Sequence, residues 1–147
     1  KICLEVAGRK PEEPIAALGK TLGEELLTPT RIYVQAIKPL LRKFTLKGMV
    51  HITGGGFTEN IPRVLPADCD AAITKGLWPI PPVFPLLQQW GNIAEPEMYR
   101  TFNMGIGMVV IVAAEDAAAV TQDLAARGEA VYRIGEIVSG EKKVQMK

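Results

Sequence analysis

The segment His51-Ile52-Thr53-Gly54-Gly55-Gly56-Phe57-Thr58-Glu59-Asn60-Ile61-Pro62-Arg63 holds the chain's single histidine beside three consecutive glycines. It also carries a hydroxyl, a carboxylate, a carboxamide and a guanidinium within a few residues of those glycines. Consecutive glycines take φ > 0 without a Cβ penalty and let a ligand approach bare backbone. Between a strand and a helix they can turn successive N–H groups toward one point. Such a nest, with the positive end of the following helix, holds phosphate. The loop is not a Walker A loop, because no Gly-Lys-Ser/Thr follows Gly54-Gly55-Gly56, and it does not fit GxGxxG. The same pattern also fits a tight strand–helix turn with no ligand.

The neighbours supply chemistry for a ligand if one binds. His51 and Thr53 share the strand face that leads into the loop and offer a titratable base and a hydroxyl. Glu59, Asn60 and Arg63 leave the loop with a carboxylate, a carboxamide and a fixed cation. A lone histidine is also often a satisfied structural residue, and Arg63 also fits a surface ion pair. A second constellation is Glu97-Met-Tyr-Arg100-Thr-Phe-Asn103-Met-Gly105-Ile-Gly107-Met108. Gly105 and Gly107 alternate at the start of an apolar run, where side chains would block something close. The segment reads either as a strand crossed by a helix or as a floor under a ligand, with Arg100 and Asn103 at its edge.

These residues need elements to position them. Ile2, Cys3 and Val6 suggest a helix entered midway and ended by Gly8. Residues 9–27 read as an irregular connection pinned by Leu18, Leu22, Leu26 and Leu27. Thr28-Pro29 predicts a helix start, followed at helical spacing by Tyr33, Ile37, Leu40, Leu41 and Phe44, with Pro39 expected to kink it. Gly48–Thr53 predicts a strand with Met49, His51 and Thr53 on one side and Val50 and Ile52 on the other. A short helix is expected from about Asn60 to Leu65, and Cys69–Thr74 is a second strand. Trp78–Pro82 reads as a loop, Val83–Gly91 and Pro96–Phe102 as helices. Met108–Ala113 is continuously apolar and predicts a central strand buried on both faces. Glu115 and Asp116 suit the start of the next helix, which buries Ala117, Val120 and Leu124 and ends at Gly128. Tyr132, Ile134 and Val138 alternate as a strand, with Lys143–Met146 expected to pair with it. Helices and strands in this order predict an α+β domain in α/β/α layers, a mixed sheet flanked by helices.

The bulk numbers set limits. A chain of 147 residues suits one domain, and 48% hydrophobic with 22% charged residues is ordinary globular composition. A formal net charge of +1 gives no electrostatic reason to expect nucleic acid or an anionic membrane. Glu141-Lys142-Lys143 reads as a solvated turn. Cys3 and Cys69 make neither a disulfide framework nor a metal site, and read as buried, reduced core thiols that fit a cytosol. No apolar run reaches the ~20 residues of a membrane span, and no signal-peptide pattern opens the chain. The helix without a start signal suggests a domain cut from a longer protein.

Three stretches, Leu27-Thr-Pro-Thr-Arg31-Ile-Tyr-Val34, His51–Pro66 and Glu97–Met108, resemble the C-terminal domain of the aminoimidazole ribonucleotide synthetase family, the phosphoribosylformylglycinamidine cyclo-ligases. The resemblance runs from Ile2 to the last strand. The triple glycine alone is also found in formylglycinamide ribonucleotide amidotransferase, thiamin monophosphate kinase, selenophosphate synthetase and a hydrogenase maturation factor. Thr58–Pro66 and Met98–Met108 point to the cyclo-ligases among them. The resemblance implies an enzyme that uses ATP and Mg²⁺ to close formylglycinamidine ribonucleotide into the imidazole of purine synthesis. ATP activates the formyl oxygen as a phosphate ester, nitrogen attacks, and phosphate leaves. This demands charge stabilisation more than a covalent nucleophile.

On that resemblance His51 and Glu59 are candidates for catalysis. Thr53, Gly54, Gly55, Gly56, Asn60 and Arg63 would hold phosphate or substrate, with Arg31, Arg100 and Asn103 as further contacts. No metal ligand is assigned to this chain. The family's N-terminal half, which carries the acidic Mg²⁺–ATP residues and builds the homodimer, is not in this sequence, nor is its His-Ser-Asn-Gly-Tyr stretch. The resemblance therefore implies a cytoplasmic half-site whose partners are its own N-terminal domain, ATP and the ribonucleotide, inactive alone. Two alternatives stay open: a related ATP-using enzyme, such as the amidotransferase or a small-molecule kinase, and a non-catalytic phosphate- or metabolite-binding domain.

Overall fold

The computed structural model describes residues 1–147. The chain opens on a single π-type turn, Ile2–Val6, ended by Gly8 at φ +61. Cys3 is buried there with Ile2 packed beside it, while Val6 is exposed and does not share their face as expected. The stretch read as an irregular connection contains a small antiparallel ribbon, β1 (Pro14–Ile15) and β2 (Lys20–Thr21). It also contains a short helix, α1 (Leu22–Leu26), opened by a reciprocal Thr21–Glu24 capping box. Leu22 is fully buried and Leu18 packs on the same core, whereas Leu26 and Leu27 face outward.

Thr28 does not start the next helix. Its hydroxyl donates to the Glu24 carbonyl at 3.1 Å and so closes α1, because the orphan carbonyls of that helix end offer it an acceptor. Helix α2 (Val34–Lys43) begins after Tyr33 and continues through Pro39. It buries Ala36 and Leu40, while Leu41 is exposed.

Strand β3 (Gly48–His51) alternates as expected: Val50 and then Ile52 are buried, and Met49, His51 and Thr53 are exposed. Helix α3 (Gly56–Asn60) starts at Gly56, earlier than the expected start near Asn60, and a 3₁₀ turn, Ile61–Val64, extends it. Positive φ at Gly55 and Gly56 turns the chain into the helix at once. Strand β4 (Cys69–Ile73) and helices α4 (Val83–Gly91) and α5 (Glu95–Thr101) lie where the pattern placed them. Cys69 is half-buried rather than part of the core.

Strand β5 (Met108–Ile111) corrects one expectation. It is not a central strand but half of an antiparallel ribbon, paired only with β3 in the register His51↔Met108. Its continuous apolarity has another cause. Val109 and Ile111 pack on the large core, built around Phe57, Ile61, Met98 and Leu22, while Val110 and Val112 pack on a second, smaller core. That smaller core is Ala36 and Leu40 of α2 against Val120 and Leu124 of α6 (Ala117–Ala126). A strand between two cores needs apolar residues on both faces, even where neither face is fully sealed.

The last two strands are β6 (Gly135–Ser139) and β7 (Val144–Met146). They flank β4 on opposite sides, β6 antiparallel and β7 parallel, so β7 does not pair with β6 as expected. Buried Asp70 explains the crossing. Its Oδ1 accepts the N–H groups of Glu141 and Lys143 at 2.7 and 2.8 Å, and its Oδ2 accepts Gln145 Nε2 at 2.8 Å. The exposed Glu141-Lys142-Lys143 turn is thereby drawn across the end of β4. Helices, one mixed three-stranded sheet and two antiparallel ribbons make this an α+β fold. No helix is long and apolar enough to cross a membrane.

Candidate functional site

Two of the three glycines of the loop are required by the fold, each for a different reason. Gly56 is buried at φ +51, and a Cβ there would run into the backbone carbonyl of Tyr99 at the end of α5. Gly55 has φ +96, and a Cβ would lie 2.8 Å from the side chain of Glu59. Gly54 has ordinary φ and nothing within 4 Å of its Cβ position. The fold therefore demands glycine at 55 and 56 but not at 54.

The amides also divide. The Gly56 N–H donates to the Thr53 carbonyl at 3.0 Å, closing a turn, while those of Gly54 and Gly55 donate to no protein acceptor. A nest of three free amides is thus reduced to two. Asn60 explains the loop's shape. It is only 3% exposed. Its Nδ2 donates to the carbonyls of Gly56 at 2.8 Å, Gly54 at 3.2 Å and Thr53 at 3.4 Å. Asn60 faces the loop's own backbone, holding its carbonyls inward.

Beyond the loop the sequence-derived residues fall into two groups. The first lines an open cleft of about 460 Å³ that includes Arg31, His51, Thr53 and Asn103, with Gly105 and Gly107. Asn103 Oδ1 accepts the Gly105 N–H at 2.9 Å, which braces the bend at Met104 and Gly105, both at positive φ. Arg31 Nη2 is held 2.9 Å from Glu129 Oε1. The second group is an ion-pair triad on the surface. Arg100 chelates Glu97, with Nε and Nη2 at 2.7 and 2.6 Å from its two oxygens, and reaches Glu59 at 3.2 Å. The bonds to Glu97 raise the Arg100 pKa, and the bonds from Arg100 and Thr101 lower that of Glu97. Glu59 therefore lies with Arg100, not with His51 in the cleft. Arg63 is exposed on the 3₁₀ turn, outside both groups and in no ion pair.

Sequence reasoning missed Tyr33, which it placed on the core face of a helix. Tyr33 stands at the mouth of α2 and lines the cleft, its ring 5.9 Å from that of His51 at 67°. Burial raises its pKa, so the phenol stays protonated at neutral pH. The sequence offers Gly105 and Gly107 as a floor under a ligand. They do line the cleft, but the closest atoms over them are protein: Pro81 over Gly105 and the Tyr33 phenol over Gly107. The signal available was the position of Tyr33 in the Leu27–Val34 stretch, two residues after Arg31.

The cleft presents hydroxyls from Thr53 and Tyr33, an imidazole and a carboxamide, groups that can orient a polar ligand, and the two free amides follow Thr53 in the chain. No group of three or more His, Cys, Asp or Glu side chains is placed to hold a metal ion, so this chain's residues do not by themselves fit Mg²⁺.

Known proteins share this arrangement of sequence. The family model described as AIR synthase related protein, C-terminal domain, matches residues 3–147. The chain is 54% identical over 144 residues to a phosphoribosylformylglycinamidine cyclo-ligase of Brevibacillus brevis, covering 98% of this chain and 42% of that protein. It is 57% identical over 134 residues to the cyclo-ligase of Latilactobacillus sakei, covering 91% and 38%. It is 60% identical over 117 residues to that of Neisseria gonorrhoeae, covering 80% and 34%. The chain thus spans well under half the length of each of these relatives.

Proposed function

The chain belongs to the family of AIR synthase related proteins, as their C-terminal domain, and from that premise we propose that it forms one wall of a cyclo-ligase active site. The reaction is the ATP-dependent closure of formylglycinamidine ribonucleotide to aminoimidazole ribonucleotide. In this reading the chain is the C-terminal half of a two-domain, cytoplasmic, homodimeric enzyme. The other half binds most of ATP and its Mg²⁺, which supplies the phosphoryl activation. This chain's residues bind and orient.

The observation that supports the reading best is the pair of unengaged amides at Gly54 and Gly55, next in the chain to Thr53 of the cleft. Backbone N–H groups preset by Asn60 can receive a phosphate oxygen without reorganising, which is the property charge stabilisation requires. Thr53 and Asn103 position the remainder of the ligand, and His51 presents its imidazole to the same cleft. Glu59 acts through Arg100, an exposed cation already set between carboxylates. Arg31 and Arg63 contribute positive charge at the margins.

Gly54→Val tests this directly, because the Cβ position at Gly54 is open in the fold, whereas a bound oxyanion would occupy the space beside it. In the two-domain protein, calorimetry with formylglycinamidine ribonucleotide should show binding weakened at least about tenfold, the equivalent of one lost charge-assisted hydrogen bond. Unchanged affinity in a folded Gly54→Val protein would overturn the role of the loop.

A further inference from the structure

We propose that Tyr33 is a substrate-positioning residue of the cleft, acting through an unpaired phenol O–H held in place by the missing side chain of Gly107. The inference rests on the cyclo-ligase reading and adds a residue and a contact to it.

Three observations converge. First, the Tyr33 ring is fixed on two sides. It meets His51 edge to face at 5.9 Å, an arrangement favoured by the positive ring edge over a π face. Its hydroxyl end lies against Gly107, where a Cβ would collide with the phenol oxygen and Cζ. Second, that oxygen makes no hydrogen bond within the protein. The one sealed, unpartnered side-chain polar atom in the molecule is Thr58 Oγ1, so the half-buried Tyr33 hydroxyl keeps access to solvent. Third, the space it can reach is the cleft, since Tyr33, Gly107, His51, Thr53 and Asn103 line the same cavity.

A half-buried phenol with no protein partner and an opening to the cleft can exchange its water for a ligand acceptor. Its pKa is raised, chiefly by burial, so the proton stays on oxygen through the neutral range. The charges on this wall are already matched within the protein, Arg31 with Glu129 and Glu25 with Lys20. The wall around Tyr33 therefore suits a neutral, hydroxyl- or amide-bearing part of the ligand better than a phosphate. In the cyclo-ligase reading that part is the ribose or the amidine side of formylglycinamidine ribonucleotide. The phosphate group lies with the glycine amides instead.

The test is steady-state kinetics on the two-domain enzyme with Tyr33→Phe, Tyr33→Leu, Gly107→Ala and the double variant Tyr33→Leu/Gly107→Ala. Tyr33→Phe should raise KM for formylglycinamidine ribonucleotide about 3- to 10-fold with kcat nearly unchanged, the signature of a lost binding hydrogen bond. Gly107→Ala should do the same by displacing the phenol, yet add nothing when Tyr33 is already Leu. His51 is the single histidine, so its ring proton resonances report the packing of Tyr33 without ambiguity. They should stay put in Tyr33→Phe, which keeps the ring, and move in Gly107→Ala. Unchanged KM in Tyr33→Phe, or a Gly107→Ala effect that persists in the Tyr33→Leu background, overturns the inference while leaving the cyclo-ligase reading intact. Wild-type protein that binds no formylglycinamidine ribonucleotide overturns both.

Discussion

Asn60 Nδ2 donates to the carbonyl oxygen of Gly56 at 2.8 Å, and the same nitrogen lies within hydrogen-bond reach of the Gly54 carbonyl at 3.2 Å. One buried carboxamide thus fixes the backbone of the glycine loop from within. A peptide whose C=O is tethered has its neighbouring N–H direction settled as well, so Asn60 shapes the surface the loop shows to a ligand without touching that ligand.

Replacing Asn60 should therefore be costly in two ways. Asn60→Ala removes the side-chain donor from the loop carbonyls and empties a buried position, and should lower unfolding free energy by about 1–3 kcal/mol. Asn60→Asp sets a carboxylate against carbonyl oxygens and should cost more than Asn60→Ala. Urea denaturation measures both, and Asn60→Asp as stable as wild type would contradict the assigned contacts.

The glycines should respond unequally. Gly56→Ala forces a Cβ into the Tyr99 carbonyl at a positive φ and should destabilise by about 3 kcal/mol or more. Gly54→Ala, with open space around it, should stay within about 0.5 kcal/mol of wild type. Thermal melts of the two variants side by side give the comparison, and equal losses would refute it.

Asp70 sets an acid limb to stability. Its carboxyl is held below the ordinary range, first by the Gln145 side chain and then by the N–H groups of Lys143 and Glu141. The folded pKa is lower than the unfolded value of about 3.9. The stabilisation is therefore complete above that unfolded value and disappears as pH falls through the folded one. Denaturation midpoints measured from pH 5 downward should drop more steeply for wild type than for Asp70→Asn. Parallel curves would show that Asp70 is not the group responsible.

The Arg100 triad should matter little for folding. Its members are exposed, and exposed ion pairs gain little after desolvation and side-chain ordering. Arg100→Ala and Glu59→Ala should melt close to wild type, whereas in the two-domain enzyme Arg100→Ala should lower turnover if this cation serves the reaction. A large fall in melting temperature would assign the triad a structural role instead.

Much of this was legible in the chain. Alternation at Val50 and Ile52 marked β3, and the helices around Leu87 and Val120 announced themselves by spacing. What was not legible had non-local causes. The apolar run at Met108–Ile111 looked like a central strand because periodicity cannot tell one thick core from two thin ones. Lys143–Met146 looked like a hairpin partner of β6 because nothing local reveals that Asp70, far away in sequence, captures the turn. Thr28-Pro29 carried a valid start signal, but the hydroxyl found a nearer acceptor at the end of α1. In the candidate site, residue types grouped His51 and Thr53, and these two do line one cleft. Sequence proximity then grouped Glu59 and Asn60 with them, although one side chain turns to Arg100 and the other to the loop's own carbonyls. Tyr33 escaped because an aromatic at helical spacing looks like core until its neighbours in space are known.

The strand shared between two cores has a mechanical corollary. Tyr33 and Arg31 reach the cleft from the layer of α2, while His51, Asn103 and Gly107 reach it from the body around Phe57. A guest seated between them would act as a rivet across the seam. Amide protons toward the C-terminal end of α2 should then exchange with solvent more slowly when the cleft is filled, and that slowing would register occupancy beyond the residues the guest touches.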